Sequence, residues 1–343
     1  MANILLTSSC NRSCPYCFAR NEISGPSGGQ RLSWENLIYI ADFLWASGQR
    51  KVSLLGGEPT LHPQCGDFIL YLIDRGFKVT VFTNGILSPS RLKEFRRHLT
   101  EMPLEKLDLV CNLNDPVLTP AVPQEMQRLN SFLAVMGPWT RAGFNIYRLD
   151  FTLDFLFDHI NRFSMKRRLR LGIAHPVPGS QGSFIPTQDL RSVVTRLYSF
   201  RQLFETYRIS LRLDCGFPLC KFSDQELGWL YRSGSHSPFG CGPALDIAPD
   251  MTAYHCFPLS NYKRKSLFEF NSLEEINKHF SQLRDEIRTE IPGIYEECDG
   301  CHCREGGVCA GGGMCQIVCR FLGEAPIRPA GIEDEISKYR MSK

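Results

Sequence analysis

Between residue 3 and about residue 214, short β-branched or aliphatic runs alternate with amphipathic segments of helical period. The runs at 3–6, 51–55, 78–82, 106–110, 147–151, 169–173 and 209–213 predict strands, since apolar stretches of this length suit a sheet. The segments between them carry start and stop signals. Ser33 precedes an amphipathic run that ends at Gly48, Ser88-Pro89 supplies a cap and a first-turn proline, and Gly76 closes the segment after Pro63. This βαβα rhythm implies a parallel sheet with helices outside it. About six units are too few for a closed eightfold barrel, so the expected fold is α/β, an open partial (β/α)6 barrel of TIM type with its working rim at the carboxyl ends of the strands.

After about residue 215 the rhythm stops, and Cys215, Cys220, Cys241, Cys256, Cys298, Cys301, Cys303, Cys309, Cys315 and Cys319 crowd the rest of the chain. Residues 245–255 read as a hairpin turning at Pro249-Asp250, and Ser272-x-x-Glu275 opens a polar helix running to about Arg288. The stretch 298–319 is rich in glycine and cysteine and poor in apolar residues, so something other than a core is expected to order it. The expected division is a first domain over 1–210 and a small cysteine-rich domain over 211–343.

Composition alters this picture only in part. At 343 residues, with 43% hydrophobic and 22% charged residues, the chain can bury a barrel core and carry a second unit. A net charge of +3 argues neither for nor against nucleic acid, and Lys166-Arg167-Arg168-Leu169-Arg170 reads as a solvated edge. No stretch approaches the roughly 18 apolar residues of a membrane span. The opening MANILLTSSC lacks a positive n-region, so a cytoplasmic location is expected, with no membrane and no nucleic-acid partner. Fifteen cysteines in a reducing compartment read as metal ligands.

The chemistry begins at Cys10-x3-Cys14-x2-Cys17, written CNRSCPYC, directly after the first strand. Three thiolates on one tight loop can hold three irons of a cubane cluster and leave the fourth open. A structural zinc knuckle is the alternative, although it normally takes four ligands. Gly56-Gly57-Glu58-Pro59 follows the second strand: the glycines allow close backbone approach, the proline stiffens the exit and Glu58 can meet a cation. Thr83-Asn84-Gly85 ends the third strand and reads either as a plain turn or as pocket lining. Asn112, Asn114 and Asp115 close the fourth, either capping a turn or facing a ligand, and Thr152 and His175 are similar candidates. His62 reads as a surface residue or a support to the site, and Cys65 and Cys111 as buried, inert thiols.

Taken together, CNRSCPYC and GGEP resemble the radical S-adenosylmethionine (radical SAM) superfamily. The resemblance implies a [4Fe–4S] cluster on Cys10, Cys14 and Cys17 whose open iron binds S-adenosylmethionine. Its methionine ammonium would be held by Gly56, Gly57, Glu58 and Pro59, with Thr83 and Asn84 lining the pocket and Asn112 and Asn114 near the ribose. The second half resembles a SPASM domain, which holds auxiliary [4Fe–4S] clusters in peptide maturases. Cys241-x9-Met251-x4-Cys256 keeps that family's spacing, but methionine stands where glycine is expected. Cys298-x2-Cys301 and Cys315-x3-Cys319 are kept, while Cys303 is inserted and the spacers around Cys309 are longer. The resemblance implies one or two auxiliary clusters, with Cys220, Cys241, Cys256 and Cys315 on the nearer and Cys298, Cys301, Cys309 and Cys319 on the farther. A zinc ribbon on four of these cysteines is the alternative.

The implied activity is reductive cleavage of S-adenosylmethionine to a 5′-deoxyadenosyl radical that abstracts hydrogen from substrate. Auxiliary clusters point to net oxidation or crosslinking of a peptide or small protein, with a flavodoxin- or ferredoxin-type reductant as partner. The first strand starts at Asn3, leaving no leader-binding domain ahead of it, so a small metabolite is the competing substrate. A non-catalytic metal or electron-transfer protein is the alternative of another class, which the GGEP loop argues against. No catalytic acid or base can be named.

Overall fold

The computed structural model describes residues 2–24, 29–117, 123–177, 182–235, 239–242 and 245–322. Seven parallel strands run in chain order: β1 (Ala2–Thr7), β2 (Lys51–Gly56), β3 (Lys78–Thr83), β4 (Leu107–Asn112), β5 (Thr140–Ile146), β6 (Arg168–Ile173) and β7 (Ser210–Leu213). Outside β1 the same sheet continues through β8 (Leu245–Ile247), β9 (Thr252–Tyr254) and β10 (Lys265–Ser266). β8 runs parallel to β1, with Asn3 opposite Asp246, and β8 and β9 form the expected hairpin.

Strand alternation builds two unlike faces. Ile4, Leu6, Val52, Leu54, Val79, Val81, Leu107, Leu109, Ala142, Phe144, Ile146, Leu169, Leu171 and Leu211 are all buried in the main apolar core with the helices. Between them alternate Thr80 and Phe82, Asp108 and Asn112, Arg141, Gly143 and Asn145, Arg168, Arg170 and Gly172, then Arg212. The Arg170 guanidinium stands 5.1 Å from the Phe82 ring although β4 and β5 separate their strands, so this polar face is the concave one. A closed barrel packs that face with aliphatic layers. Here it is a polar lumen.

The helix starts follow the sequence. Ser33 accepts from the Asn36 N–H ahead of helix Trp34–Ala46, and Ser88 accepts from the Arg91 N–H ahead of helix Pro89–Leu99. Ser272 likewise caps helix Leu273–Glu290, although the Glu275 carboxylate turns back to the Asn271 N–H and not to Ser272. Gly48 and Gly76 close their helices at φ +76° and +90°.

Three expectations are corrected. The fifth strand is Thr140–Ile146, and residues 147–151 form the loop beyond it. Arg141, Gly143 and Asn145 face the lumen, so their polar character hid the strand from an apolar-run reading. The basic run at 166–170 is a solvated edge only in part: Arg167 and Arg168 are exposed, whereas Lys166 pairs with Asp108 (2.8 Å) and Arg170 pairs with Asp214. Finally, the cysteine-rich tail is ordered partly by an ordinary core, because Met314, Ile317 and Val318 of helix Met314–Leu322 are buried in the main cluster.

Candidate functional site

The three motifs do meet at the carboxyl ends of β1, β2 and β3. Gly56 (φ +146°) and Gly57 lie against the chain leaving β1. A Cβ on Gly56 would stand 2.2 Å from the Thr7 carbonyl oxygen, and one on Gly57 2.2 Å from that of Ser9. The contact is closed by backbone bonds from Gly57 N–H to Thr7 O and from Glu58 N–H to Ser9 O, both 2.8 Å. No side chain fits there, which is why the sequence needs glycine.

Glu58 anchors the turn. It is turned inward, 1% exposed, and accepts from the Thr60 N–H (3.1 Å), the Thr60 hydroxyl (2.7 Å), the Thr83 hydroxyl (2.7 Å) and the Asn84 N–H (2.7 Å). Burial raises its pKa, and those four bonds oppose the rise. Asn84 in turn donates to Asn11 Oδ1 (2.8 Å), and Asn11 donates to the Ile86 carbonyl (3.0 Å). TNG is therefore a hub that ties the cysteine loop to GGEP.

On that loop Cys10, Cys14 and Cys17 are partly exposed. Burial pushes the Cys10 thiol up to about 11, with Glu58, Cys14 and Cys17 adding to the rise. Burial also raises Cys14 and Cys17, against which Arg12 and Arg20 respectively work. Three half-buried thiols that repel one another as thiolates suit a cationic centre, which inverts that local penalty. Tyr16 stacks on Tyr147 (centroids 4.9 Å apart) and donates to Asn114 Oδ1, while Phe18 meets Phe257 of the C-terminal part at 6.0 Å.

Deeper in the lumen a polar shelf crosses β4, β5 and the end of β7. A Cβ on Gly143 would stand 2.6 Å from Asn112 Oδ1, and one on Gly172 2.6 Å from Asn145 Oδ1 and 3.4 Å from Asp214 Oδ2. The two glycines thus leave room for Asn112, Asn145 and Asp214 to lie over them. Asn112 Oδ1 is buried without a hydrogen-bond partner among the described residues, an orphan that suits a hydroxyl-bearing ligand. His175 sits at the same rim: burial lowers its pKa to about 4, its Nδ1 has no partner among the described residues, and Nε2 stands 3.9 Å from Cys215 Sγ. Asn145, Asp214 and Cys215 were not among the site residues expected from sequence.

Other candidates fall outside the site. Thr152 bonds Asp154 at the start of the next helix. His62 is not at the surface: it is 2% exposed, with Nε2 3.0 Å from the Leu32 carbonyl oxygen. Asp115 accepts from the Val117 N–H (2.8 Å). Cys65 and Cys111 are fully buried, as expected. A groove of about 400 Å³ between helices Pro89–Leu99 and Pro123–Met136 contains none of the site residues.

The later cysteines gather in two places. The thiols of Cys215, Cys256 and Cys315 are raised by burial, Cys215 to about 12, and each is raised further by Cys241. Cys220 lies elsewhere, raised by burial and then by Cys298 and Cys309. Cys215 keeps solvent-accessible surface although protein surrounds its sulfur, as an open cradle would require. Among the described residues no three histidine, cysteine or carboxylate side chains converge on a point that would hold a single metal ion. A polynuclear iron–sulfur centre spreads its thiolate ligands more widely than one ion does. Met251, where glycine was expected, adopts φ +67° and is 3% exposed.

An open parallel barrel carries a three-cysteine loop and a double-glycine turn at one rim. Residues 4–107 match the Radical SAM superfamily. The chain is 28% identical over 202 residues to the probable GTP 3′,8-cyclase of Sulfolobus acidocaldarius, covering 57% of this chain and 62% of that one. It thus spans less than two thirds of that relative's length. In fold it resembles anSMEcpe with bound AdoMet (TM-score 0.64, 15% identity, 100% of this chain and 97% of that one). It also resembles SuiB of Streptococcus suis (TM-score 0.61, 16% identity, 90% of this chain and 72% of that one), which has been solved bound to its precursor peptide SuiA. Residues 4–107 thus carry the radical SAM match, a superfamily that uses a [4Fe–4S] cluster and S-adenosylmethionine, and a cysteine-rich C-terminal part follows. No helix of the described residues is long and apolar enough to cross a membrane.

Proposed function

We propose that this protein is a radical SAM enzyme that oxidatively modifies a peptide or small protein. When bound, the cluster on Cys10, Cys14 and Cys17 with S-adenosylmethionine supplies a carbon-centred radical able to remove hydrogen, and clusters in the C-terminal part supply an electron sink. Gly56 and Gly57 bring the backbone close to the methionine moiety, and Glu58 holds the turn beside it. Asn112 and Asn145 offer polar atoms to the ribose and the adenine end. Tyr16 and Phe18 cover the loop and keep water from it.

The observation that carries the oxidative reading is the second set of thiols, gathered beside the lumen rim and joined to the barrel by one continuous sheet. A simple radical mutase needs no such store of ligands. Anaerobic reconstitution followed by dithionite and S-adenosylmethionine is expected to release 5′-deoxyadenosine above background. Colourless, iron-free protein with zinc on the cysteine loop would overturn the reading.

A small anionic metabolite is a second reading, favoured by the lumen itself. Arg141, Arg168, Arg170, Arg212 and Lys166 stand against Asp108 and Asp214 there. If that reading holds, GTP binds the reconstituted protein and stimulates 5′-deoxyadenosine release, while short peptides do not.

A further inference from the structure

We propose that the groove between helices Pro89–Leu99 and Pro123–Met136 is a docking site for an acidic segment of the peptide substrate. That segment is held on the outside of the barrel while the residue to be modified reaches the rim. The assignment rests on the peptide reading given above.

Helical period sorts the charges of these two helices. On Pro89–Leu99, Phe95 and Leu99 are buried in the core, and Glu94, the one acid of the helix, turns toward helix Cys65–Asp74. There it pairs with Arg91 (2.6 Å), and a Cβ on Gly66 would stand 2.6 Å from its Oε1. Lys93 and Arg96 are left facing the groove. On Pro123–Met136, Leu129, Phe132, Leu133 and Met136 are buried, while Gln124, Gln127, Arg128 and Ser131 form the opposite wall of the groove. Among the described residues no carboxylate lines this space of about 400 Å³, and Lys93, Arg96 and Arg128 make no ion pair. Like charges gathered this way repel one another, so they suit carboxylates brought by a partner.

The floor shows what kind of partner. Leu87 is buried there, and Leu92 and Val135 pack against the core, so an apolar strip lies under the cations. A lone inorganic anion would use the cations and leave that strip wet, whereas an amphipathic peptide covers both. Gln124 and Gln127 add amides, which donate and accept as a peptide backbone requires. On the other side of the same helix Asn130 lines a second groove with Arg162 and Phe163, again without a carboxylate among the described residues. The buried Asn130 Oδ1 has no hydrogen-bond partner among the described residues. Gln127 and Ser131 belong to both grooves, so a longer segment can continue over that ridge. Location ties the groove to the chemistry. Both helices begin beyond the carboxyl ends of β3 and β4, which puts Leu87, Pro89 and Gln124 at the rim end. A Cβ on Gly85 would stand 2.7 Å from Leu129 Cδ1, and the Ile86 carbonyl accepts from Asn11 of the cysteine loop. Three residues therefore carry the chain from Asn84 to Leu87, a reach of at most about 10 Å. A peptide leaving the groove there arrives where the three motifs meet.

The test measures fluorescence anisotropy of two labelled peptides of equal length on the full chain, reconstituted anaerobically. One probe is an amphipathic Leu/Glu peptide and the other its Leu/Lys counterpart. The Leu/Glu probe is expected to bind, more weakly as salt rises, and the Leu/Lys probe is not. Lys93→Glu/Arg128→Glu should weaken the Leu/Glu probe at least about tenfold and let the Leu/Lys probe bind instead. Both substitutions are on exposed or half-buried positions away from the site, so far-UV circular dichroism should stay unchanged; where it does not, Lys93→Gln/Arg128→Gln carries the same comparison for the first probe. Equal binding of both probes to the wild type, or Leu/Glu binding that survives the charge reversal, overturns the proposal. Tighter binding of single-stranded RNA or of phosphatidylglycerol vesicles than of the Leu/Glu probe overturns it too, by assigning the cations to phosphates. Failure of the peptide reading shows differently: 5′-deoxyadenosine release would then respond to GTP and to no peptide, whatever the probes do.

Discussion

Met251 holds a left-handed backbone inside the core, a conformation that costs most residues about 1 kcal/mol and glycine almost nothing. Alanine and glycine remove the same side-chain packing, but only glycine relieves the strain. Met251→Gly is therefore expected to be the more stable of the two by about 1 kcal/mol in denaturant melts, reversing the usual order of these residues. Glu58 gives a second expectation at this scale. Its carboxylate accepts four hydrogen bonds, and an amide offers a donor where an acceptor is needed, so Glu58→Gln should lose about 2–3 kcal/mol of stability. Loosening of the cysteine loop, read as weaker S-adenosylmethionine binding at unchanged iron content, should accompany it. The sequence placed a carboxylate at this turn. That it faces Thr83 and Asn84 depends on the register of β2 against β3, which no local pattern encodes.

Among elements, the seam between β1 and β8 has its own pH dependence. Asp246 is buried there and accepts from Asn3 Nδ2 (2.7 Å), yet burial raises its pKa to about 7. A carboxyl whose folded pKa lies above its unfolded value binds a proton more tightly in the native state. Its contribution is thus complete below pH 4 and declines as pH rises toward 7. The thermal midpoint of the wild type is expected to fall more than that of Asp246→Asn between pH 5 and pH 8, and equal slopes would count against it. The lumen gives a second element-scale expectation. A methyl on Gly172 would displace Asn145, so Gly172→Ala should weaken S-adenosylmethionine binding at least several-fold while far-UV circular dichroism stays unchanged.

Those two places also mark where sequence reading stopped. Six of the seven parallel strands stood out, β6 among them because Leu169, Leu171 and Ile173 keep an aliphatic alternation although Arg168 and Arg170 alternate with them. β5 did not, since Arg141, Gly143 and Asn145 break its apolar face into alternate positions. The three motifs and their common rim were legible, because each follows a strand directly.

At the scale of the whole molecule, the two sets of thiols should be separable. Cys14→Ala is expected to abolish cleavage of S-adenosylmethionine, whereas Cys309→Ala should spare cleavage and stop product formation; equal loss of both would argue that the C-terminal part only scaffolds the barrel. The sheet that joins these parts has an order of assembly written into it. Asn3 finds its partner Asp246 only after 243 further positions have been made, so the outer edge of the first strand stays naked while the ribosome works through the barrel. Unpaired edges of that kind invite association with other chains. A nascent chain halted before the hairpin should therefore precipitate or recruit chaperones, and loading of iron is best timed for after release.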